Sequence, residues 1–140
     1  EKIGYKDIGQ IGPFEAGMHL SRIGTENELV LFECFAPDLA GHKGSMEHAR
    51  DILQTLDSFL CGIIESMDKE MNLVVCSDHG NMEDLNTGSH TQNPVPLLVV
   101  GPDAATFRHV TGIDQITDMV IDTIKSRAKI QCAGNLAQQG

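Results

Sequence analysis

No tryptophan and a single tyrosine, Tyr5, occur in the 140 residues, so the flat aromatic surfaces on which nucleic-acid bases stack are poorly supplied. Basic residues are scarce too. Ten Lys and Arg stand against twenty Asp and Glu, a net charge of -10, and no basic run interrupts the pattern. That balance argues against a groove for a phosphodiester backbone, and nucleic acid is not an expected partner. Long apolar runs are also missing: the longest, around Leu29 to Phe35 and Val95 to Val100, fall far short of the ~20 residues that cross a bilayer. Nothing at the start resembles a signal peptide, so no membrane partner is expected and a soluble, cytoplasmic protein is. Cys34, Cys61, Cys76 and Cys132 show no C-x-x-C spacing, and the first three lie in apolar segments, which predicts buried, reduced thiols rather than disulfides or metal ligands. The length suits one domain, and an opening of Glu1-Lys2-Ile3 without methionine suggests a piece of something longer.

What is present reads as alternating helices and strands. Gly4, Gly9 and Gly12 mark the first twelve residues as loop or fraying strand. Pro13 suits the first turn of a short helix to about Ile23, with Phe14, Met18 and Ile23 facing inward and Gly24 ending it. Glu28 to Ala36 is an almost continuous apolar, β-favouring run, as expected of a strand covered on both faces, and Pro37 stops it. Ser45 is a reasonable N-cap for a long amphipathic helix from Met46 to about Asp68, whose stripe includes Ala49, Leu53, Leu56, Leu60 and Ile63. Asn72 to Cys76 and Val95 to Val100 read as two further short strands. A last amphipathic helix spans Ile113 to about Arg127, and the Gln-, Ala- and Gly-rich residues from 131 to 140 read as a flexible tail after a domain covering 1–130. The pattern is α/β, and the connection from Asp38 to Asp68 is long enough for a parallel crossover.

Within that frame the residues with chemistry cluster at strand ends. Asp78-His79-Gly80 directly follows the strand ending at Cys76, and His90 comes eleven residues after His79. Loops at the carboxyl ends of strands can converge polar groups over a rigid floor, and adjacent carboxylates and imidazoles suit a divalent metal. By itself an Asp-His-Gly is an ordinary turn. A second cluster changes the balance: Asp38-Leu39-Ala40-Gly41-His42-Lys43-Gly44 again sets a carboxylate and an imidazole after a strand, in a loop that two glycines allow to turn tightly. His19 reads as an ordinary helix-surface residue, and His48 and Asp57, within the long helix, as structural or solvated ones.

Three motifs, Pro37-Asp38-Leu39-Ala40-Gly41-His42, Ser77-Asp78-His79-Gly80-Asn81-Met82-Glu83 and His90-Thr91-Gln92-Asn93-Pro94-Val95-Pro96, in this order and spacing, resemble the C-terminal half of the alkaline phosphatase superfamily. The likeness is closest to cofactor-independent phosphoglycerate mutases and the smaller metalloenzymes related to them, and runs from about Glu28 to Gly101. It implies part of a three-layer sandwich with a mostly parallel sheet. It also implies two divalent ions, Mn²⁺ or Zn²⁺, with Asp38, His42 and His90 as ligands of one and Asp78 and His79 as ligands of the other. Glu83 and Asp84 are then candidates for orienting the imidazoles or simply solvated carboxylates. The activity implied is phosphoryl transfer on a small phosphorylated metabolite, as a phosphomutase through a phospho-Ser or phospho-Thr intermediate; a phosphatase or phosphodiesterase, or a non-catalytic metal-binding module, are the alternatives. The superfamily's Ser or Thr nucleophile and a further Asp ligand come from segments near the start of the full protein. Neither is recognisable here, and Ser45, Ser77 and Ser89 do not stand where the pattern puts the nucleophile.

Overall fold

A computed structural model describes residues 9–137, with side chains described to Lys129. The first helix, α1 (Pro13–Thr25), starts with Pro13 in its first turn, and α2 (Ala36–Lys43) is a second, short helix. The long helix α3 (Met46–Ser66) begins where Ser45 caps it, the Ser45 hydroxyl accepting from the His48 amide at 3.3 Å. Strand β1 (Leu73–Cys76) and strand β2 (Leu97–Val100) follow, then two short 3-10 turns, Ala104–His109 and Ile113–Gln115, and α4 (Ile116–Ala137). Among the described residues no helix is long and apolar enough to cross a membrane.

α1 and α3 cross backbone to backbone. A Cβ on Gly17 would overlap the Phe59 carbonyl, and one on Gly62 would overlap the Phe14 carbonyl. This close approach corrects the expected inward stripe of α1: Gly17 and Ser21 are its buried positions, and Phe14, Met18 and Ile23 are pushed to the flanks, 38 to 49 % exposed. Small residues at the crossing leave no room for large ones. Among the described residues the buried apolar core is correspondingly thin and consists of Ala40, Ala49, Ile63 and Phe107.

The strand expected over Glu28 to Ala36 does not form. A strand exists only by pairing, no described strand flanks this run, and Leu31 is left 91 % exposed while Phe32 packs on Phe59 of α3 with ring centroids 5.0 Å apart. Pro37 therefore does not stop a strand but opens α2, where its fixed φ suits the first turn. The sheet that does form is two-stranded and antiparallel, with Leu73 opposite Val100 and Cys76 opposite Leu97, so the described residues have α/β content without a parallel pair. Cys34, Cys61 and Cys76 are free thiols, as expected, but exposed rather than buried, because the apolar segments holding them are covered on fewer faces than their composition suggests. α4 continues as helix to Ala137, into the stretch where composition predicts a flexible tail; residues 138–140, and residues 1–8 of the loop or fraying strand expected over 1–12, lie outside the described residues.

One polar latch ties the sheet to α4. Asn72, just before β1, donates its amide to Asp103 Oδ2 at 2.9 Å and accepts the Asp103 backbone N–H at 2.9 Å, while Arg127 Nε of α4 reaches the same Oδ2 at 2.5 Å. The Asn72 amide first, and Arg127 with it, hold the Asp103 carboxyl below its ordinary 3.8. A depressed folded value contributes stability above the unfolded pKa, and that contribution is lost as pH falls through the folded one. Asp103→Asn is expected to cost about 1 kcal/mol at pH 7 and to flatten the fall in stability below about pH 4, which urea unfolding across pH 2.5–7 measures.

Candidate metal centre

Antiparallel pairing brings the end of β1 beside the start of β2, so the whole connection 77–96 leaves and re-enters the sheet at one end. Two of the three sequence motifs lie on it. The connection is folded back on itself by an isolated bridge between Gly80 and Thr91, in which the Thr91 N–H donates to the Gly80 carbonyl at 2.8 Å. Each of these residues directly follows a histidine. The bridge thus sets His79 against His90, and their rings stack with centroids 3.6 Å apart and planes 19° from parallel.

The third motif faces this pair from α2. Asp38 and His42 are not in a loop, as their glycines suggest, but one helical turn apart on the same face of α2. Gly41, between them in sequence, is where α2 rests on the connection: a Cβ there would overlap the buried side chain of Asn81. Gly44 ends the helix in the left-handed conformation, φ 63°. Gly88, also at positive φ, presents its carbonyl to His42 Nδ1 at 2.9 Å. A carbonyl only accepts, so Nδ1 carries the proton, and in the neutral ring Nε2 turns a lone pair inward.

Asp38 Oδ1 is the hub of the arrangement. His90 Nε2 lies 3.3 Å from it, His42 Nε2 3.4 Å and His79 Nε2 3.9 Å, and Asp38, His79 and His90 offer ligand atoms that all fall within 4.8 Å of one another. Asp78 stands at the rim, 84 % exposed, with Oδ2 3.6 Å from His79 Nε2. All five residues singled out from the sequence are therefore gathered in one place. Asp38 Oδ1 is buried and has no hydrogen-bond partner among the described residues. A lone pair on His42 Nε2 facing an unsatisfied carboxylate oxygen is unfavourable, and either a proton on that nitrogen or a metal cation between the two relieves it. Donors around a tetrahedral ion with bonds of about 2.0–2.1 Å stand roughly 3.4 Å apart, which the His90 and His42 spacings match and the His79 spacing exceeds. The donor set and its spacing fit a divalent ion.

Glu83 is the residue whose role the sequence leaves undecided. Its hydrogen bonds go to no imidazole: Oε1 accepts the Thr91 hydroxyl and the Asn93 amide, the latter at 3.0 Å, and Oε2 accepts the Asn81 backbone N–H at 2.6 Å. The Thr91 hydroxyl foremost, then Asn93, hold its carboxyl down at about 2, although the group is exposed. Its signal in the sequence is the pair of short polar residues, Thr91 and Asn93, that follow His90 and supply donors for a carboxylate. Asp84 instead accepts from the Asn86 N–H at 3.1 Å and shapes a local turn.

Among known proteins, the chain is similar to 2,3-bisphosphoglycerate-independent phosphoglycerate mutases. It is 37% identical to that of Roseobacter denitrificans over 90 residues, 58% of this chain and 18% of the relative. With the enzyme of Clostridium botulinum strain Langeland it shares 28% identity over 116 residues, 77% of this chain and 23% of the relative, and with that of Rhodopseudomonas palustris 39% over 82 residues, 53% and 16%. The chain thus spans about a fifth of the length of these relatives. No solved structure matches it significantly. The resemblance carried by the three motifs is borne out, and since the family model matched over residues 19–128 takes in α2, both strands and the connection between them, the chain belongs to the Metalloenzyme superfamily.

Proposed function

We propose that this chain supplies the C-terminal metal ligands of a phosphoglycerate-mutase-like phosphomutase acting on a small phosphorylated metabolite. The observation that carries the reading is the buried, unpartnered Asp38 Oδ1 ringed by three imidazole nitrogens within 3.9 Å, in a chain of this family. In this reading Asp38, His42 and His90 hold one divalent ion, and Asp78 and His79 contribute to a second; Mn²⁺ and Zn²⁺ both suit the mixed donors. His79, 3.9 Å from Asp38 and 3.6 Å from Asp78, stands where the two sets meet. When bound, such ions polarise a phosphoryl group and offset the charge that develops on its oxygens during transfer.

The chain's own residues bind and orient. Gly88 fixes the His42 tautomer, the Gly80–Thr91 bridge fixes the His79 and His90 rings, and the exposed Asp78 leaves the rim open to solvent and substrate. An open cleft of about 380 Å³ adjoins Asp78 and His79, walled by Thr91, Asn93, Pro94 and Thr111, and has room for a small phosphorylated compound. We place β1 and β2 in a larger, mostly parallel sheet on similar grounds. An isolated two-stranded sheet is marginal, and Leu29, Val30 and Leu31 line a cavity of about 670 Å³ together with Leu73 and Val74 of β1, where an ordered strand can join.

Phosphorus NMR on the full-length gene product, given a phosphoglycerate and Mn²⁺, tests the activity. The positional isomer should appear without inorganic phosphate. Release of phosphate instead would make the enzyme a hydrolase, and no turnover by a metal-loaded, folded protein would leave a binding module.

A further inference from the structure

We infer that Glu83 is a positioning residue for the metal centre, acting through Thr91 to hold His90 in register with His79. The inference rests on the reading of Asp38, His79 and His90 as metal ligands. Glu83 sits on one limb of the 77–96 connection and grips the other: Oε2 takes the N–H of Asn81 beside Gly80, and Oε1 takes the hydroxyl of Thr91 and the amide of Asn93 beyond it. The single bridge between Gly80 and Thr91 has no neighbouring ladder to fix its register. A slip by one residue in an extended pair turns every side chain to the opposite face, and would carry the His90 ring away from Asp38. Glu83 removes that freedom. A Cβ on Gly80 would overlap Thr91 Oγ1 and stand 2.6 Å from Glu83 Oε1, so hydroxyl, carboxylate and glycine leave no slack between them.

The site needs a carboxylate in particular. The three groups aimed at Glu83 are a hydroxyl, a side-chain amide N–H and a backbone N–H, all donating, and only a group with two accepting oxygens meets them. A glutamine of the same size would point its own N–H₂ at one set of donors. The consequence falls first on the ligand pair, because the hydrogen bonds of Glu83 go to Asn81, Thr91 and Asn93 on the two limbs of the connection and not to α2 or a proposed ligand.

The test compares the chain with Glu83→Gln, Thr91→Val and Thr91→Ser in two measurements. One is exchange of the Thr91 amide by NMR in metal-free protein, and the other is Mn²⁺ affinity by calorimetry. Expected for Glu83→Gln and Thr91→Val are faster Thr91 exchange and Mn²⁺ affinity weaker by about tenfold or more, with exchange in α3 unchanged, and Thr91→Ser recovers most of the affinity by restoring the hydroxyl. If Thr91 exchange quickens in both variants but Mn²⁺ affinity stays as in the parent, Glu83 secures the loop alone and the inference is overturned. A folded parent chain that binds no Mn²⁺ overturns the metal reading itself, and the inference with it.

Discussion

Asp38→Asn is expected to move the chain in opposite directions with and without metal. In the metal-free wild-type chain Asp38 Oδ1 is a buried carboxylate oxygen with no hydrogen bond among the described residues, facing the Nε2 atoms of His42 and His90 at 3.4 and 3.3 Å. An amide at that position brings N–H donors to those nitrogens and removes the charge, so the metal-free variant should be more stable by about 1–3 kcal/mol. Mn²⁺ or Zn²⁺ at 100 times its Kd should stabilise the wild type by about 2.7 kcal/mol and the variant hardly at all. Urea unfolding with EDTA and with metal measures both arms. A variant destabilised without metal would show that Asp38 has a structural partner, and equal stabilisation of both chains by metal would put the ion elsewhere.

Gly62→Ala is expected to be the most damaging single substitution away from the centre. Helix propensity alone favours alanine by about 1 kcal/mol. Against this, the new methyl group meets the backbone of Phe14, which cannot rotate away as a side chain would. Separating α1 from α3 to make room costs about 3 kcal/mol or more, so the sum is a loss of about 2 kcal/mol, a large share of a stability drawn from a thin apolar core. A fall in the urea midpoint, with little change in slope, is the measurable result. An unchanged or higher midpoint would mean the helices do not touch at these glycines.

These two sites mark where the sequence is legible and where it is not. The clustering of Asp38, His42, Asp78, His79 and His90 could be read because residue types and order do not depend on the local backbone: the five come together although Asp38 and His42 stand on a helix and not in a loop. Ser45 could be read as a cap because capping is local. The α1 face could not, since an apolar period of three and four says which residues prefer burial and not that Gly17 and Gly62 bring two backbones into contact. Residues 28–36 misled for a related reason. Their composition suits a strand, but strand formation depends on a partner that composition does not contain, and here Phe32 turns to Phe59 instead. Glu83 lies between these cases, with its donors visible in Thr91 and Asn93 but the fold of the connection that joins them not visible.

If a divalent ion sits on Asp38 Oδ1, anomalous diffraction at the manganese edge from crystals grown with Mn²⁺ locates it directly. Expected is a peak within bonding distance, about 2.0–2.3 Å, of Asp38 Oδ1 and His90 Nε2, absent from His90→Ala crystals. An ordered site in wild-type crystals with Asp38, His42, His79 and His90 in place and no anomalous peak among them would contradict it.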